Sequence, residues 1–365
     1  MKKNTHIHHG PKEVNLKNFL IYGSYGYTGK LIVEQAVKEG LHPILAGRDE
    51  KALQIQADKF GLAYRAFDLK DVDALNKAVQ EVDAVLHCAG PFSLTYKTMV
   101  EACIANKRHY VDISGEIEEY EAIVKLSEEA RRANIMLLPG GGFDVVPSDC
   151  LASYAARKLP NAQKLELNIA TLGSGVSRGT ARSAIENMNR QGRIRLGGKI
   201  TNVPNVWRTK QVDFGRGPKS LVSVGWGDVS TAFYSTNIPN IEVYMALPKS
   251  AVNMMKLTRY LGFIAYSRPI KNFLKWVIGN TLPPGPSRER NQSGSCLIIA
   301  EVTDGKQTIR AKLRTPEAYY ITSLTAVEIM KRIMAGNFKP GFQTPSLAYG
   351  EDFILQFDNV TREDL

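Results

Sequence analysis

A short apolar strand, FLIYG (19–23), runs without a break into Ser24-Tyr25-Gly26-Tyr27-Thr28-Gly29 and then into the helical stretch KLIVEQAVKEG. Few arrangements leave a chain so little choice. In a strand-turn-helix of this spacing Gly23 permits the tight turn, Gly26 lets the backbone approach a pyrophosphate, and Gly29 lets helix and strand pack closely. Ile32, Val33, Ala36 and Val37 recur at helical spacing, with Gly40 as a left-handed stop. The helix N-terminus then supplies amide donors to an anion. Glycines also end strands for local reasons, so the surroundings must decide.

A second strand, HPILAGR (42–48), follows about twenty residues later, where a Rossmann domain places its ribose contact. No carboxylate ends it. An acid there would bond the 2′-hydroxyl of NAD, whereas the Arg48 guanidinium pairs bidentately with a 2′-phosphate, so this end favours NADP(H); Asp49 follows and leaves the ribose alternative open. Further strands alternate with helices: AYRAFDL (63–69), AVLHCAG (84–90), HYVDISG (109–115) and NIMLLPGGG (134–142). That rhythm predicts an α/β fold with a Rossmann-type doubly wound parallel sheet. Ligands of such sheets lie beyond the carboxyl ends of the strands. The rule nominates Asp68, the turn Ala89-Gly90-Pro91-Phe92, the turn from Asp112 to Glu116, and Gly140 to Asp144. Helix capping by Asp68 and a plain chain break at Gly90-Pro91 are the local alternatives.

Past residue 150 the pattern changes to period two: KLELNIAT (164–171), SLVSVGW (220–226), IEVYMAL (241–247), and a hairpin of SCLIIAEVT and QTIRAKLR around Asp304-Gly305. A second, α+β domain with a mostly antiparallel sheet is expected, covering the nucleotide site and building a homodimer face. Within it GSGVSRGTARSAIENM (173–188) opens a helix at Ser177, Gly179 and Thr180, either a substrate-anion or pantetheine-facing loop or a capped helix packed on the sheet. Thr315-Pro316-Glu317 predicts the start of a long helix to about Ala335. The expected organisation is an N-terminal arm (1–16), a nucleotide domain (17–150), an α+β domain (151–315), and a helix with a tail returning to the nucleotide domain (316–365).

At 365 residues the chain is long enough for two cores without metal or disulfide staples. Cys88, Cys103, Cys150 and Cys296 form no C-x-x-C pair, which argues against a zinc site and fits a reducing cytoplasm. The cluster His6, His8 and His9 sits on a polar arm that offers no fixed metal geometry. No metal is expected. Residues 151–300 carry a net +15 and the remainder −4. From Val243 to Arg288 there is no acid, while Lys249, Lys256, Arg259, Arg268, Lys271, Lys275 and Arg288 punctuate apolar runs. Ile270, Phe273, Leu274 and Val277 are placed on one helical face and Lys271 and Lys275 on another, the pattern of a helix lying in a headgroup layer. The alternative is a core helix with a wet basic side. No zinc finger, RNA-recognition motif or basic-aromatic run is present, so nucleic acid is not the expected partner. No run of eighteen uncharged apolar residues occurs, so a membrane-spanning helix is not expected.

The ordered set GSYGYTGKL, AGR, CAGPF, YVDISGE and PGGGFDVVPSD resembles the saccharopine dehydrogenase-like oxidoreductases, in particular the branch with the trans-acting enoyl reductases. GPSRER (285–290) and PGFQTPSLAYGEDF (340–353) resemble the ends of those chains. The resemblance implies an NADP(H) site on Gly23, Ser24, Gly26, Tyr27, Thr28, Gly29, Arg48, Ala89, Gly90 and Pro91, with Tyr25, Asp68 and Phe92 beside it. Tyr25 stands where the group usually carries a small hydroxyl residue, and the G-x-G-x-V opening of saccharopine-forming enzymes is missing. The activity so implied is an NADP(H)-dependent oxidoreductase acting on a lipid-like or acyl substrate, with enoyl reduction as its specific form. Asp112, Glu116 and Asp144 are the candidate acids, and residues 249–280 the contact to an acyl carrier or an anionic membrane surface. An amino-acid dehydrogenase of saccharopine type and a non-catalytic dinucleotide-binding scaffold are the alternatives. Tyr154 and Lys158 form a Y-x-x-x-K like the acid and base pair of short-chain dehydrogenases, but Gly141 stands where their serine is required.

Overall fold

The computed structural model describes residues 18–173, 175–186, 191–265 and 267–365, with the side chains of 258–265 left out. The N-terminal arm and its histidines lie outside the described residues. Six strands and the helices between them build the first domain: β1 (Phe19–Tyr22), α1 (Tyr27–Lys38), β2 (Ile44–Gly47), α2 (Glu50–Phe60), β3 (Tyr64–Ala66), α3 (Val72–Gln80), β4 (Ala84–His87), α4 (Phe92–Ala105), β5 (His109–Asp112), α5 (Ile117–Val124), α6 (Ser127–Arg132) and β6 (Met136–Leu138). Every pairing is parallel, in the order β3-β2-β1-β4-β5-β6. β1, β2 and β4 are buried along their whole length because helices cover both faces of the sheet, so each reads as an unbroken apolar run. Phe19 and Ile21 enter the core on one face, and Leu20 and Tyr22 the core on the other. The strand order reverses between β1 and β4. There the loops diverge and leave a crevice.

The second domain begins at α7 (Val146–Lys158) and comprises β7 (Lys164–Leu172), α8 (Arg178–Glu186), β8 (Gly192–Leu196), β9 (Lys199–Val203), β10 (Thr209–Asp213), β11 (Pro218–Val224), α9 (Asp228–Thr236), β12 (Asn240–Met245), α10 (Lys249–Ala265), α11 (Arg268–Thr281), α12 (Arg288–Ser293), β13 (Ser295–Thr303) and β14 (Thr308–Pro316). Its sheet runs β10-β11-β12-β7-β13-β14, antiparallel except for β12 beside β7. The turn of the β13–β14 hairpin is closed by Asp304, whose carboxylate accepts from the amides of Lys306 and Gln307 at 2.8 and 2.9 Å. The β8–β9 hairpin and β10 carry too little apolar alternation to register as strands in the sequence.

The chain then crosses between domains twice. Helix α13 (Ala318–Met334) packs on α1. Its start is later than the spacing predicts: β14 runs on through Pro316, and Glu317 is the cap, its carboxylate accepting from the amides of Tyr319 and Tyr320. A side chain pairing inward with two amides replaces the expected threonine cap and first-turn proline. Strand β15 (Gly341–Phe342) joins the nucleotide sheet beside β6. After α14 (Pro345–Tyr349) and a 3₁₀ turn (Phe353–Gln356), β16 (Thr361–Asp364) adds to the second sheet beside β14.

Candidate functional site

Gly23 ends β1 with φ +86°, and a side-chain carbon there would lie 2.9 Å from the amide nitrogen of Ala89 at the end of β4. The two strand ends flanking the crevice therefore touch. A carbon on Gly29 would lie 2.3 Å from the Gly23 carbonyl oxygen, so only glycine lets α1 close onto the turn. No side chain caps α1, and its first-turn amides face the crevice end of β1 with the half-charge of the helix dipole behind them. Ser24 is buried, with its hydroxyl lacking a hydrogen-bond partner among the described residues and its carbonyl held by Gln56 at 3.0 Å. Thr28 is half-buried on the same turn. An uncapped helix start behind three glycines fits a pyrophosphate.

The other two residues of the loop use their rings elsewhere. Tyr25 lies across the end of β2, so close that a side-chain carbon on Gly47 would meet its ring at 2.5 Å. Its hydroxyl accepts from the amides of Arg48 and Asp49, both at 3.2 Å. Tyr27 turns toward the second domain: its hydroxyl donates to the Pro286 carbonyl and accepts from Asn291, each at 2.8 Å, and its ring meets Tyr319 edge-on. Thus Tyr27 offers a ligand its backbone amide, while its phenol holds the segment 285–291. Arg48 is exposed at the end of β2. Asp49 accepts from the Ala52 amide at 3.1 Å and caps α2, an engagement that competes with binding a ribose hydroxyl. Asp68 is exposed just past β3 and closes its own turn onto the Lys70 amide at 2.9 Å; Asp71, not Asp68, caps α3.

At the end of β4 the turn Ala89-Gly90-Pro91 leads into the buried Phe92, and the Thr95 hydroxyl donates to the Ala89 carbonyl at 2.8 Å. Beneath it His87 is buried, and burial pushes its pKa down to about 3. From the other side α8 approaches: a carbon on Gly90 would lie 3.3 Å from the Ser183 hydroxyl. The Ser177 hydroxyl caps α8 by accepting from the Thr180 amide at 3.1 Å, and Tyr319 binds both residues. The helix expected within 173–188 therefore forms over 178–186; residues 174, 187 and 188 lie outside the described ones.

Beyond β5 and β6 the three candidate acids differ sharply. Asp112 is wholly buried and accepts from Tyr110, from the amide and hydroxyl of Ser114, and from the Gly140 amide, all between 2.7 and 2.9 Å. Burial still raises its pKa. With its oxygens so committed, it orders two turns and presents nothing to a substrate. Glu116 and Asp144 are half-buried and close together: a carbon on Gly115 would lie 2.7 Å from an Asp144 carboxylate oxygen. Burial lifts Asp144 to about 7, and burial with the charge of Glu119 lifts Glu116 to about 8. Two further groups escaped the sequence. Trp226 donates its indole N–H to the Asp144 carbonyl at 2.8 Å. Asp228, two residues on at the start of α9, is fully buried beside Ser148, and burial raises it well above the carboxylate range despite hydrogen bonding from that serine. Nothing in their local sequence marks them, because the second domain folds them onto the first.

Two motifs lie away from this cleft. The Tyr154 hydroxyl donates to Asp364 at 3.1 Å, Lys158 pairs with the same carboxylate, and the Arg362 guanidinium lies 3.6 Å from the centre of the Tyr154 ring. The Y-x-x-x-K is thus tied to β16. On α11 the two lysines leave the wet face expected of them: Lys271 is buried and donates to the Glu186 carbonyl at 2.7 Å and Lys275 pairs with the Glu186 carboxylate, while Phe273 is exposed and Ile270, Leu274 and Val277 are half-buried. The cause is Glu186 on α8, which draws both lysines inward. Among the described residues no cluster of His, Cys, Asp or Glu is arranged to hold a metal ion.

Residues 19–138 match the family model described as the saccharopine dehydrogenase NADP binding domain. With the geometry above, this part of the chain is a nicotinamide-dinucleotide-binding domain. The saccharopine dehydrogenase-like oxidoreductase of Homo sapiens is 26% identical over 214 residues, 52% of this chain and 49% of the human one. A Mycobacterium tuberculosis protein named for trans-acting enoyl reduction is 26% identical over 189 residues, 48% of this chain and 44% of its own. The chain spans about half the length of the curated relatives it matches. Saccharopine dehydrogenase (L-Glu forming) of Saccharomyces cerevisiae, at 15% identity, has the same fold over 96% of this chain and 100% of its own, with a TM-score of 0.63.

Proposed function

We propose that this protein is an NADP(H)-dependent oxidoreductase moving hydride between the nicotinamide and a carbon–nitrogen bond of an amino-acid substrate, chemistry of the saccharopine type. The observation that carries the substrate class is the group Glu116, Asp144 and Asp228, acids raised by burial beyond the ends of β5 and β6 and at the start of α9. An acid held protonated near neutral pH can hand its proton to a substrate nitrogen as the carbon–nitrogen bond is reduced, and take it back in the oxidative direction. The family model and the fold of the yeast enzyme support the same class.

In this reading the α1 N-terminus and Gly26 hold the pyrophosphate, Arg48 the 2′-phosphate, and the Ala89-Gly90-Pro91 turn the nicotinamide end. When bound, the dinucleotide supplies or takes the hydride. Asp144 moves the proton on the substrate nitrogen, and Glu116 keeps a neutral proton close to it. Asp112 positions the two turns that carry them. Trp226 covers Asp144 and limits water.

The second reading is reduction of an acyl or enoyl substrate, supported by the acid-free apolar stretch 249–280, which suits an acyl carrier or anionic surface, and by the M. tuberculosis relative. Turnover decides between them. NADP+ reduction with saccharopine, or NADPH oxidation with lysine and 2-oxoglutarate, is expected; oxidation with enoyl thioesters alone would establish the second reading. Binding of NADPH with turnover of neither class would leave a non-catalytic scaffold. Arg48→Ala should weaken NADPH binding by about 10- to 100-fold and NADH binding little. Equal losses for both would remove the phosphate assignment.

A further inference from the structure

The α10–α11 hairpin reverses the polarity expected of basic helices on a protein surface. Its two central lysines point inward to Glu186, and its aromatics point outward. Phe273 and Trp276 are 61% and 65% exposed and stack on one another, with ring centroids 6.1 Å apart. Met254 and Leu257 on α10 are 59% and 53% exposed. A pair of large apolar side chains on each of two adjacent helices is more than scattered surface apolarity accounts for.

The charge around these side chains selects the partner. Lys249, Lys256 and Arg268 are exposed on the same two helices, and no acid occurs between Glu242 and Glu289. A second copy presenting the same face would bring cation against cation. Aromatics among lysines and arginines are the combination that suits the headgroup layer of an anionic bilayer, where indole rings sit at the interface and cations meet lipid phosphates. No described helix is long and apolar enough to cross a membrane, so the contact is one of lying on the surface.

We propose that the α10–α11 hairpin docks this protein on anionic lipid bilayers, with Phe273, Trp276, Met254 and Leu257 entering the interface and Lys249, Lys256 and Arg268 meeting the phosphates. The hairpin is fixed to the body by more than the two lysines: Arg178 donates to the Leu282 carbonyl, and a carbon on Gly279 would lie 3.2 Å from the Arg182 guanidinium. Both arginines are on α8, whose Ser183 reaches the Gly90 turn. A docked hairpin is therefore joined through α8 to the turn at Gly90. The docking itself stands without the oxidoreductase reading.

The test is flotation of the full-length protein with vesicles of phosphatidylcholine alone and with phosphatidylglycerol at three parts in ten. Binding should be at least tenfold stronger to the anionic vesicles and should weaken as salt is raised. Phe273→Ser with Trp276→Ser should abolish it. Lys249→Gln with Lys256→Gln should lower it about 30-fold. Brominated lipid should quench Trp276 fluorescence, with Trp276→Phe as the control. The substituted side chains are exposed, so NADPH binding and melting temperature should stay at wild-type values in each variant. Failure to float at wild-type NADPH affinity would overturn the docking alone. Equal binding to both vesicles, retained binding of the double serine variant, or a dimer in solution that the serine substitutions dissociate would each overturn it as well.

Discussion

Asp144 owes its proposed chemistry to where the second domain puts it. Trp226 binds its backbone oxygen, Gly115 leaves room for its carboxylate, and burial raises its pKa to about 7. The sign of the consequence is fixed. The protonated acid is the donor, so reductive turnover should be full below about pH 7 and fall above it, and Asp144→Asn should remove that limb along with about 10²- to 10⁴-fold of the rate. A pH–rate profile of both proteins checks this. Stability obeys the same sign: because the folded-state pKa lies above the ordinary 3.8, the contribution of Asp144 is full below that value and lost as pH rises through about 7. Glu116 extends the loss to about pH 8. The asparagine variant should therefore show a flatter decline of melting temperature between pH 5 and 8. Asp112, Glu116 and Asp144 were legible as strand-end acids, but which of them is closed to substrate was not. That depends on Tyr110, Ser114 and Gly140 donating to Asp112, a convergence only the folded sheet provides.

Helices and strands divide in the same way. The strand-turn-helix from Phe19 to Lys38 was readable because every force that shapes it is local: glycine spacing, helical periodicity, a glycine stop. The face of α11 was not. Periodicity alone puts Lys271 and Lys275 in water, and their partner Glu186 lies 85 and 89 residues earlier, on a helix that nothing in the lysines' own sequence announces. A buried lysine is tolerable only when such a partner is present. The Y-x-x-x-K on α7 makes the converse point, since the spacing is right and the surroundings are those of a surface bond to Asp364. Tyr154→Phe removes one half-exposed hydrogen bond, so turnover should stay within about twofold and stability within about 1 kcal/mol. A large loss of turnover, read in the same assay as the wild type, would return catalysis to α7.

At the scale of the molecule the tail joins what the sequence divides. Residues 340–365 give β15 to the nucleotide sheet and β16 to the second, and between them the Ser346 amide donates to the buried carboxylate of Asp149 at 2.7 Å. Deleting that tail would strip two sheet edges and leave a buried acid without this donor, a loss of about 1–3 kcal/mol from that hydrogen bond alone. The melting temperature should drop by roughly 10 °C or more. Calorimetry should show both domains melting together in the intact chain. A deletion that leaves one sharp, unshifted transition would mean that the tail merely rests on the surface.

The phenol of Tyr27 reaches 259 residues along the chain to Pro286, while the backbone of the same residue begins the helix to which the proposed function gives the coenzyme's pyrophosphate. A ligand that quiets this loop must therefore quiet its distant neighbour as well. Deuterium uptake between residues 285 and 291 would slow when the dinucleotide binds, so a segment far along the chain would report whether the pocket is filled.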